Sequence, residues 1–259
     1  MTEDQILISH ARDLKTSCSD NSMITNTFFL DMRQVSLLKP LEREQREYVD
    51  SFLYGGYPDA ERVCAVFVPK FFECDDIYKF FGKNGDYNPI SLIRIEKDRF
   101  SSLSHRDYLG SLMGLGIKRE MIGDLLVDEN GCFVPCMGSV AKFIIENLSS
   151  VGRGTVNVRV VSFDEIAERK ENFKEISAFV ASPRLDNIVS AAFSLSRTKS
   201  VQFIEKGAVF VNSAENLKPD CKVSVGDKIV LRGKGKSVVA SFDGESKRGR
   251  LHITIRRYI

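Results

Sequence analysis

The stretch RLDNIVSAAFSLSRTKSVQFIEKGAVFVN, residues 184–212, decides the fold of the C-terminal third of the chain. Its first half repeats apolar residues at helical spacing, which predicts an amphipathic helix. These apolar residues are Leu185, Ile188, Val189, Ala192 and Phe193. Ser196 suits the N-cap of a second helix over 197–206, and Gly207 is a natural stop. A short strand is predicted over 209–211.

Two cations, Arg197 and Lys199, stand at the start of this second helix, where the positive end of the helix dipole disfavours positive charge. Backbone N–H groups, these cations and the hydroxyl groups of Ser196, Thr198 and Ser200 converge there, an arrangement that suits a phosphate. The dipole costs only about 0.3–1 kcal/mol per charge, which a bound anion would offset. The pattern is equally compatible with two side chains that extend into water.

The remaining C-terminal residues predict short strands and a hairpin. A strand is expected over 228–231, and the tail alternates apolar and polar residues in two runs, VVASF and LHITI. In the second run His252, Thr254 and Arg256 would face outward. The pattern leaves open whether this outer face contacts a ligand or only water.

Composition indicates a globular protein of about two domains, with 259 residues, 43% of them apolar and 28% charged. A charged N-terminal stretch and the absence of a long apolar run predict neither a signal peptide nor a transmembrane helix, so we expect a cytosolic protein. Residues 182–259 hold 15 Lys and Arg against 7 Asp and Glu, a net charge of +8, whereas residues 1–181 carry −6. This asymmetry suggests that the basic end contacts a polyanion.

The acidic remainder predicts further α/β structure. Residues 1–85 are expected to form a mixed α/β domain, with a helix after Pro40. Residues 86–163 follow the order β-α-β-α-β, with Ser104 capping the first helix. This order is compatible with an RNA-recognition-motif-like shape, although no run of exposed aromatic residues is visible. Alternating charges over 164–181 predict a connector helix.

Cysteines and histidines give little support for a disulfide framework or a metal site. None of the six cysteines forms a C-x-x-C pair, and the chain has three histidines. Cys132 and Cys136 lack nearby donors and are expected to be buried thiols. The sequence Ser-His-Arg-Asp from Ser104 resembles a kinase catalytic loop, but a glycine-rich phosphate loop and a DFG sequence are missing. We therefore expect no metal and no cofactor.

The C-terminal motifs resemble the S-four RNA-binding domain, over residues 182–232. They are Arg-Leu-Asp at 184–186, Ser-Arg-Thr-Lys-Ser at 196–200, Gly207-x-Val-x-Val-Asn212, Lys218-Pro219 and Val225-Gly-Asp227. The resemblance implies that the two helices and the adjoining loop form an RNA-binding face. The implied RNA-binding residues are Arg184, Arg197, Thr198, Lys199, Ser200 and Lys218. Arg232, Lys234 and Lys236 extend the basic surface.

Together with SHRDYLGSLMGLGIKREMIGDLLV at 104–127, these motifs resemble the YlmH family of bacterial RNA-binding proteins. The resemblance implies a non-enzymatic protein that binds ribosomal RNA of the large subunit, with tRNA, in rescue of obstructed subunits carrying peptidyl-tRNA. We expect a monomer of the α+β class. The expected parts are an N-terminal α/β domain (1–85), a central RNA-recognition-motif-like α/β domain (86–163), a connector (164–181), an S-four domain (182–236) and a β-hairpin extension (237–259).

Two other functions remain open. S-four domains also accompany pseudouridine synthases and RNA methyltransferases, and Arg184-Leu185-Asp186 superficially resembles the catalytic triplet of the synthases. Here the triplet opens a helix, where an acid is favourable, and no G-x-G-x-G methyl-donor loop is visible. Alternatively, the acidic N-terminal two-thirds could recruit a protein partner, with RNA binding as an auxiliary property.

Overall fold

The chain folds into two units, Met1–Arg169 and Lys170–Ile259. Their coordinates come from a computed structural model that describes residues 2–43, 48–58, 60–167, 173–212, 214–246 and 249–258. Helices and antiparallel sheets confirm the predicted α+β class. The predicted boundary between residues 85 and 86 lies inside the first unit, and that between 236 and 237 lies inside the second.

The first unit contains helices and strands in a mixed order. They are α1 (Glu3–Asn21), β1 (Thr25–Asn26), α2 (Met32–Arg43), β2 (Val49–Tyr54), β3 (Cys64–Pro69), α3 (Ile77–Lys83), β4 (Ile90–Lys97), α4 (His105–Gly114), β5 (Leu126–Asp128), β6 (Gly131–Met137), α5 (Gly138–Asn147), β7 (Ser150–Val151), β8 (Gly154–Val161) and α6 (Asp164–Ala167).

Strands β1, β3 and β2 form an antiparallel sheet in that order, and every residue of the central strand β3 is buried. The helix predicted after Pro40 is wrong, because Pro40 lies inside α2 and residues 49–54 form β2. Val49, Phe52 and Leu53 instead pair with β3, in a ladder that runs from Val49 opposite Pro69 to Tyr54 opposite Cys64. Pairing with a buried strand therefore overrides a short and ambiguous apolar pattern.

The second sheet has the order β5-β6-β4-β8-β7, with α4 and α5 packed against it. Its β4-α4-β5-β6-α5-β8 connectivity is the split β-α-β-β-α-β arrangement, which confirms the predicted RNA-recognition-motif-like shape. Ile93, Ile95, Tyr108, Leu112 and Ile144 are fully buried in its core. The helix start at Ser104 is also confirmed, because Ser104 and Asp107 form a capping box.

The second unit is built on one antiparallel sheet of order β11-β10-β12-β13-β14-β9. Its elements are β9 (Phe173–Val180), α7 (Leu185–Phe193), α8 (Arg197–Glu205), β10 (Val209–Val211), β11 (Ala214–Glu215), β12 (Lys228–Leu231), β13 (Gly235–Glu245) and β14 (Leu251–Tyr258). The predicted C-terminal hairpin is confirmed by the pairing of β13 with β14.

The connector helix predicted over 164–181 is wrong for most of its described length. Only α6 is helical, residues 168–172 lie outside the described residues, and residues 173–180 form β9. Strand β9 pairs along the whole of β14, and Ile176, Ala178 and Val180 point into the same core as the helices. Glu175, Ser177 and Phe179 alternate with them and lie on the opposite, exposed face of the strand. The segment therefore has the two-residue period of a strand.

A half-buried carboxylate, Asp124, holds a loop of the first unit in place. It accepts hydrogen bonds from the Tyr57 hydroxyl at 2.7 Å and from the backbone N–H groups of Glu61 at 2.8 Å and Arg62 at 3.2 Å. The Arg62 guanidinium in turn donates to the carbonyls of Ile122 and Phe29. The loop before β3 is therefore joined to the segment before β5 by charge-assisted hydrogen bonds.

Replacement of Asp124 by Ala is expected to lower the free energy of unfolding of the first unit by about 2–3 kcal/mol, because three donors lose their acceptor. Urea unfolding followed by circular dichroism measures the change. Asp86→Ala removes an exposed carboxylate of the same unit and should cost less than about 0.5 kcal/mol. Equal effects of the two substitutions would contradict the role assigned to Asp124.

Candidate nucleic-acid interface

Helix α7 begins at a backbone junction that fixes its position. The five apolar residues of its predicted stripe are all buried, as the periodicity requires. Its first amide groups are satisfied by a following loop, since Leu185 N–H donates to the Cys221 carbonyl at 2.8 Å and Asp186 N–H to the Pro219 carbonyl at 2.9 Å. The loop that carries Lys218 is thereby held against the start of α7.

The Asp186 carboxylate, with an exposed fraction of 1%, joins the starts of α7 and α8. It accepts from Nε and Nη2 of Arg184 at 3.1 and 3.3 Å, from Nε of Arg197 at 3.0 Å, and from the Asn187 N–H at 2.9 Å. We call Arg184, Asp186 and Arg197 the Asp186 ion-pair cluster. A buried carboxylate requires such partners, and two of them are predicted RNA-binding residues.

The protonation of Asp186 follows from two opposed effects. Burial alone would raise the pKa of this carboxyl group, but the hydrogen bonds and charges of Arg184 and Arg197 outweigh it and hold the pKa below its usual value. Asp186 is therefore ionised at neutral pH. Its negative charge offsets the unfavourable position of Arg197 at the start of a helix, so the local electrostatic conflict is partly resolved inside the protein.

The start of α8 presents three exposed residues, Arg197, Thr198 and Lys199. The predicted N-cap is confirmed, because the Ser196 hydroxyl accepts from the Lys199 N–H at 3.3 Å. Arg197 uses Nε to reach Asp186, yet its side chain remains 61% exposed. Thr198 and Lys199 extend from the same turn, so a phosphate arriving here would meet both cations and the open end of the helix.

Ser200 does not belong on this surface, and its inclusion among the RNA-binding candidates is corrected. Its side chain is fully buried, and its hydroxyl donates to the Ser196 carbonyl at 3.1 Å. Ser200 lies one helical turn after the cap, on the side of α8 that faces the core. A small hydroxyl residue fits there because it can return its hydrogen bond to the preceding turn.

A second group of predicted cations lies on the turn between β12 and β13, which we call the RGKGK turn (Arg232–Lys236). Gly233 and Gly235 adopt positive φ values of +77° and +104°, which only glycine adopts readily. Arg232 is exposed and lies 5.5 Å from the Phe210 ring centre, and the Lys236 ammonium lies 4.2 Å from that of Tyr258. These rings restrain the cations without neutralising them.

With Ser200 set aside, the structure separates the eight other predicted residues into two groups. Arg184, Arg197, Thr198, Lys199 and Lys218 surround the starts of α7 and α8, whereas Arg232, Lys234 and Lys236 lie on the RGKGK turn. Arg232 N–H donates to the Ala208 carbonyl, just past the end of α8. Because α8 has 9 residues, the turn backbone lies roughly 13 Å along the helix from Arg197.

Two residues that support the candidate site were not identified in the sequence analysis. Asp186 was interpreted as an acid at a helix start, but it also binds Arg184 and Arg197. The sequence signal for this role was an acidic residue that lies between two arginines, each at the start of a helix. Arg257 donates hydrogen bonds to the carbonyls of Ala192 in α7 and Lys234 in the RGKGK turn, and so connects the turn to the end of that helix. No sequence pattern marks Arg257, because both of its acceptors are backbone groups distant in the chain.

Neither a metal-binding cluster nor a membrane-spanning helix is found in the part of the chain that the structure describes. No group of three His, Cys, Asp or Glu side chains there could hold a metal ion. Cys132 and Cys136 are buried as expected, and burial raises the pKa of the Cys136 thiol to about 12. Among the described helices, none combines the length and apolar character needed to cross a bilayer.

Comparison with known proteins confirms the resemblance to the YlmH family. Residues 83–165 match the family model described as "Putative RNA-binding domain in YlmH". The chain is 25% identical over 255 residues to ribosome-associated protein quality control protein P2 of Bacillus subtilis (strain 168), covering 98% of this chain and 95% of that protein. The fold of the present chain is similar to that of the cell division protein ylmH from Streptococcus pneumoniae, with a TM-score of 0.51 and 22% sequence identity. The similarity covers 64% of this chain and 94% of that chain.

Replacement of Asp186 by Asn should destabilise the second unit by about 1–3 kcal/mol at neutral pH, because the amide keeps the shape but loses the charge that holds two arginines. The pKa of Asp186 is depressed in the folded state, so its contribution is full above the unfolded value of about 3.9 and is lost as the pH falls through the folded pKa. Chemical unfolding across pH 2–7 tests both effects. A difference between wild type and variant that persists undiminished at the acid end would contradict this assignment.

Proposed function

We propose that the protein is a non-catalytic RNA-binding protein of the cytosol that binds ribosomal RNA of the large subunit, with peptidyl-tRNA, in rescue of obstructed subunits. The observation that carries this proposal is the exposed start of α8, where Arg197, Thr198 and Lys199 extend beside Arg184 and Lys218. The Bacillus subtilis relative is named as a ribosome-associated quality control protein, and the matching family model is described as an RNA-binding domain.

Phosphate binding at α8 follows from the arrangement of its first turn. The amide groups of Arg197 and Thr198 have no acceptor among the described residues, whereas the Lys199 N–H is already capped by Ser196. A phosphate oxygen would accept from the open amide groups while Arg197 and Lys199 neutralise its charge. These phosphate contacts would position the RNA on the protein. They would not distinguish one sequence from another, because every nucleotide carries the same phosphate.

The absence of catalysis is supported by the position of Asp186. In a modifying enzyme the aspartate of Arg-Leu-Asp would have to reach a base, whereas here it is 1% exposed and bound to two arginines and a backbone amide. A carboxylate without access to a substrate cannot act as a nucleophile or a base. The alternative that the protein is mainly a scaffold for a protein partner is tested by the crosslinking experiment described next.

The proposal is tested by crosslinking in cells and sequencing of the bound RNA, with wild type beside an Arg197→Ala/Lys199→Ala variant. Crosslinks on large-subunit RNA that are lost in the variant are expected. The control variant Lys79→Ala/Lys142→Ala removes the same charge from lysines that are 82% and 87% exposed in the first unit. Unchanged crosslinks in the Arg197/Lys199 variant would favour the scaffold hypothesis. Thermal unfolding of each variant shows whether lost binding reflects lost structure.

Salt dependence measures the number of phosphates contacted. Binding of wild type to purified large subunits should weaken with salt, with a log–log slope of about −0.7 to −0.9 for each phosphate neutralised. The Arg197→Ala/Lys199→Ala variant should have a slope smaller in magnitude by about 1.5, because two phosphate contacts are lost. A variant slope equal to that of wild type would place the phosphate contacts elsewhere on the protein.

A further inference from the structure

Phe100, in the loop between β4 and α4, has a side chain that is 98% exposed. Phenylalanine usually buries its ring, because leaving that apolar surface in water forgoes a favourable transfer free energy. The ring of Phe100 makes no stacking contact with the described residues. The packing of the first unit therefore does not explain why a phenylalanine stands at this position.

The loop that carries this ring is held in one conformation by hydrogen bonds. We call residues 98–101 the Asp98 loop. The Asp98 carboxylate accepts from the N–H groups of Phe100 at 2.9 Å and Ser101 at 2.8 Å and from the Ser101 hydroxyl at 2.6 Å. Lys97 donates to the Ser101 carbonyl at 2.7 Å. Phe100 is thus presented by an ordered backbone, and binding through it would require little further ordering.

A second turn with a cation lies against the Asp98 loop. Asp98 N–H donates to the Thr155 carbonyl at 3.3 Å, and a Cβ placed on Gly154 would lie 2.3 Å from the Ser101 hydroxyl. The neighbouring Arg153 is exposed, as is Arg99 beside the ring. Neither arginine forms an ion pair with the described residues. The exposed ring of Phe100 therefore directly follows Arg99, and the turn that carries Arg153 packs against the same loop.

The sheet surface that an RNA-recognition motif uses for stacking is partly buried in this protein. On the face opposite α4 and α5, Arg94 is 6% exposed, lies 4.2 Å from the Phe133 ring centre and binds Asp128 through two hydrogen bonds of 2.8 Å. Leu92 and Val161 are buried there in one cluster with Phe133. Among the described residues this face presents no exposed aromatic ring, so stacking by the domain needs a ring elsewhere.

We propose that the Asp98 loop stacks Phe100 on an unpaired RNA base while Arg99 and Arg153 bind the adjacent phosphates. This inference rests on the proposed RNA-binding function and adds a contact in the first unit, whereas the predicted phosphate contacts lie in the second. Phe100 would distinguish unpaired from paired RNA, because a base must leave its stack before a side chain can cover it.

A protein partner fits the same loop less well. Protein interfaces centre on an apolar patch with several buried anchors, whereas the residues beside Phe100 are Arg99, Ser101 and Ser102. One ring flanked by cations is too small for such a patch but is sufficient for one base and its phosphates. The charges of Arg99 and Arg153 also match the negative charge of a nucleic-acid backbone.

The chain contains no tryptophan, which allows a direct test. Phe100→Trp places a single tryptophan in this loop of the full-length protein, and its emission can be excited separately from that of the tyrosines. Titration with a short single-stranded RNA of mixed sequence should quench this fluorescence, whereas a blunt duplex of the same sequence should not. The control Phe71→Trp places the fluorophore at another ring of the first unit, 64% exposed and stacked on Phe72, where no quenching is expected.

Affinity gives an independent measurement with labelled single-stranded RNA. Phe100→Ala should weaken binding about tenfold, as expected for the loss of one base stack, and Phe100→Trp should retain it. Because the Phe100 ring is almost wholly in water, neither substitution disturbs the core. Arg99→Ala/Arg153→Ala should weaken binding further and reduce its salt dependence.

The outcomes separate this inference from the proposed function. If wild type binds RNA and Phe100→Trp shows no quenching, or if Phe100→Ala binds as tightly as wild type, the stacking contact is refuted while RNA binding stands. Equal quenching by duplex and single strand refutes recognition of an unpaired base. If wild type binds neither short RNA nor large subunits, the proposed function itself fails.

Discussion

The buried carboxylate of Asp186 is the interaction on which the arrangement of the C-terminal unit depends. An ionised group that is 1% exposed must be surrounded by donors, and the chain supplies them from three places: Arg184, Arg197 and the Asn187 amide. Satisfying this one group fixes the start of α8 against the start of α7. The same contact explains how Arg197 can occupy a helix end that disfavours cations.

The helix pair in turn packs on a sheet whose strands come from both before and after the helices in sequence. Helices α7 and α8 bury a common apolar face that neither could shield alone. Part of that core comes from Val180 on β9, which precedes the helices, and part from Ile253 and Ile255 on β14, which ends the unit. Strand β14 pairs with β13 on one side and β9 on the other. The helical surface is therefore held in part by β14, which lies far from both helices in sequence.

Local chemistry explains which parts of this fold could be predicted from the sequence. The stripe of α7, the Ser196 cap and the capping box at Ser104 depend on neighbouring residues and were predicted correctly. Strand β9 was not, because its identity depends on a partner strand about eighty positions later. Among the candidate site residues, burial of Ser200 and the contacts of Arg257 depend on tertiary packing, which helical spacing alone does not specify. The sequence marked the cations at the start of α8 but not the carboxylate that orients one of them.

Cations at a helix start can hold RNA but cannot select it, because every RNA offers the same phosphates. Selectivity must therefore arise from shape or from contacts with bases. In the central domain the usual stacking surface is occupied by the Arg94–Asp128 ion pair and the cluster around Phe133. In the proposed contact, Phe100 on its ordered loop would supply the stacking ring that this surface does not present, and it would do so only for an unpaired base. Under these two proposals, the cations at the start of α8 provide affinity for any RNA, and the Phe100 ring restricts tight binding to RNA with an accessible base.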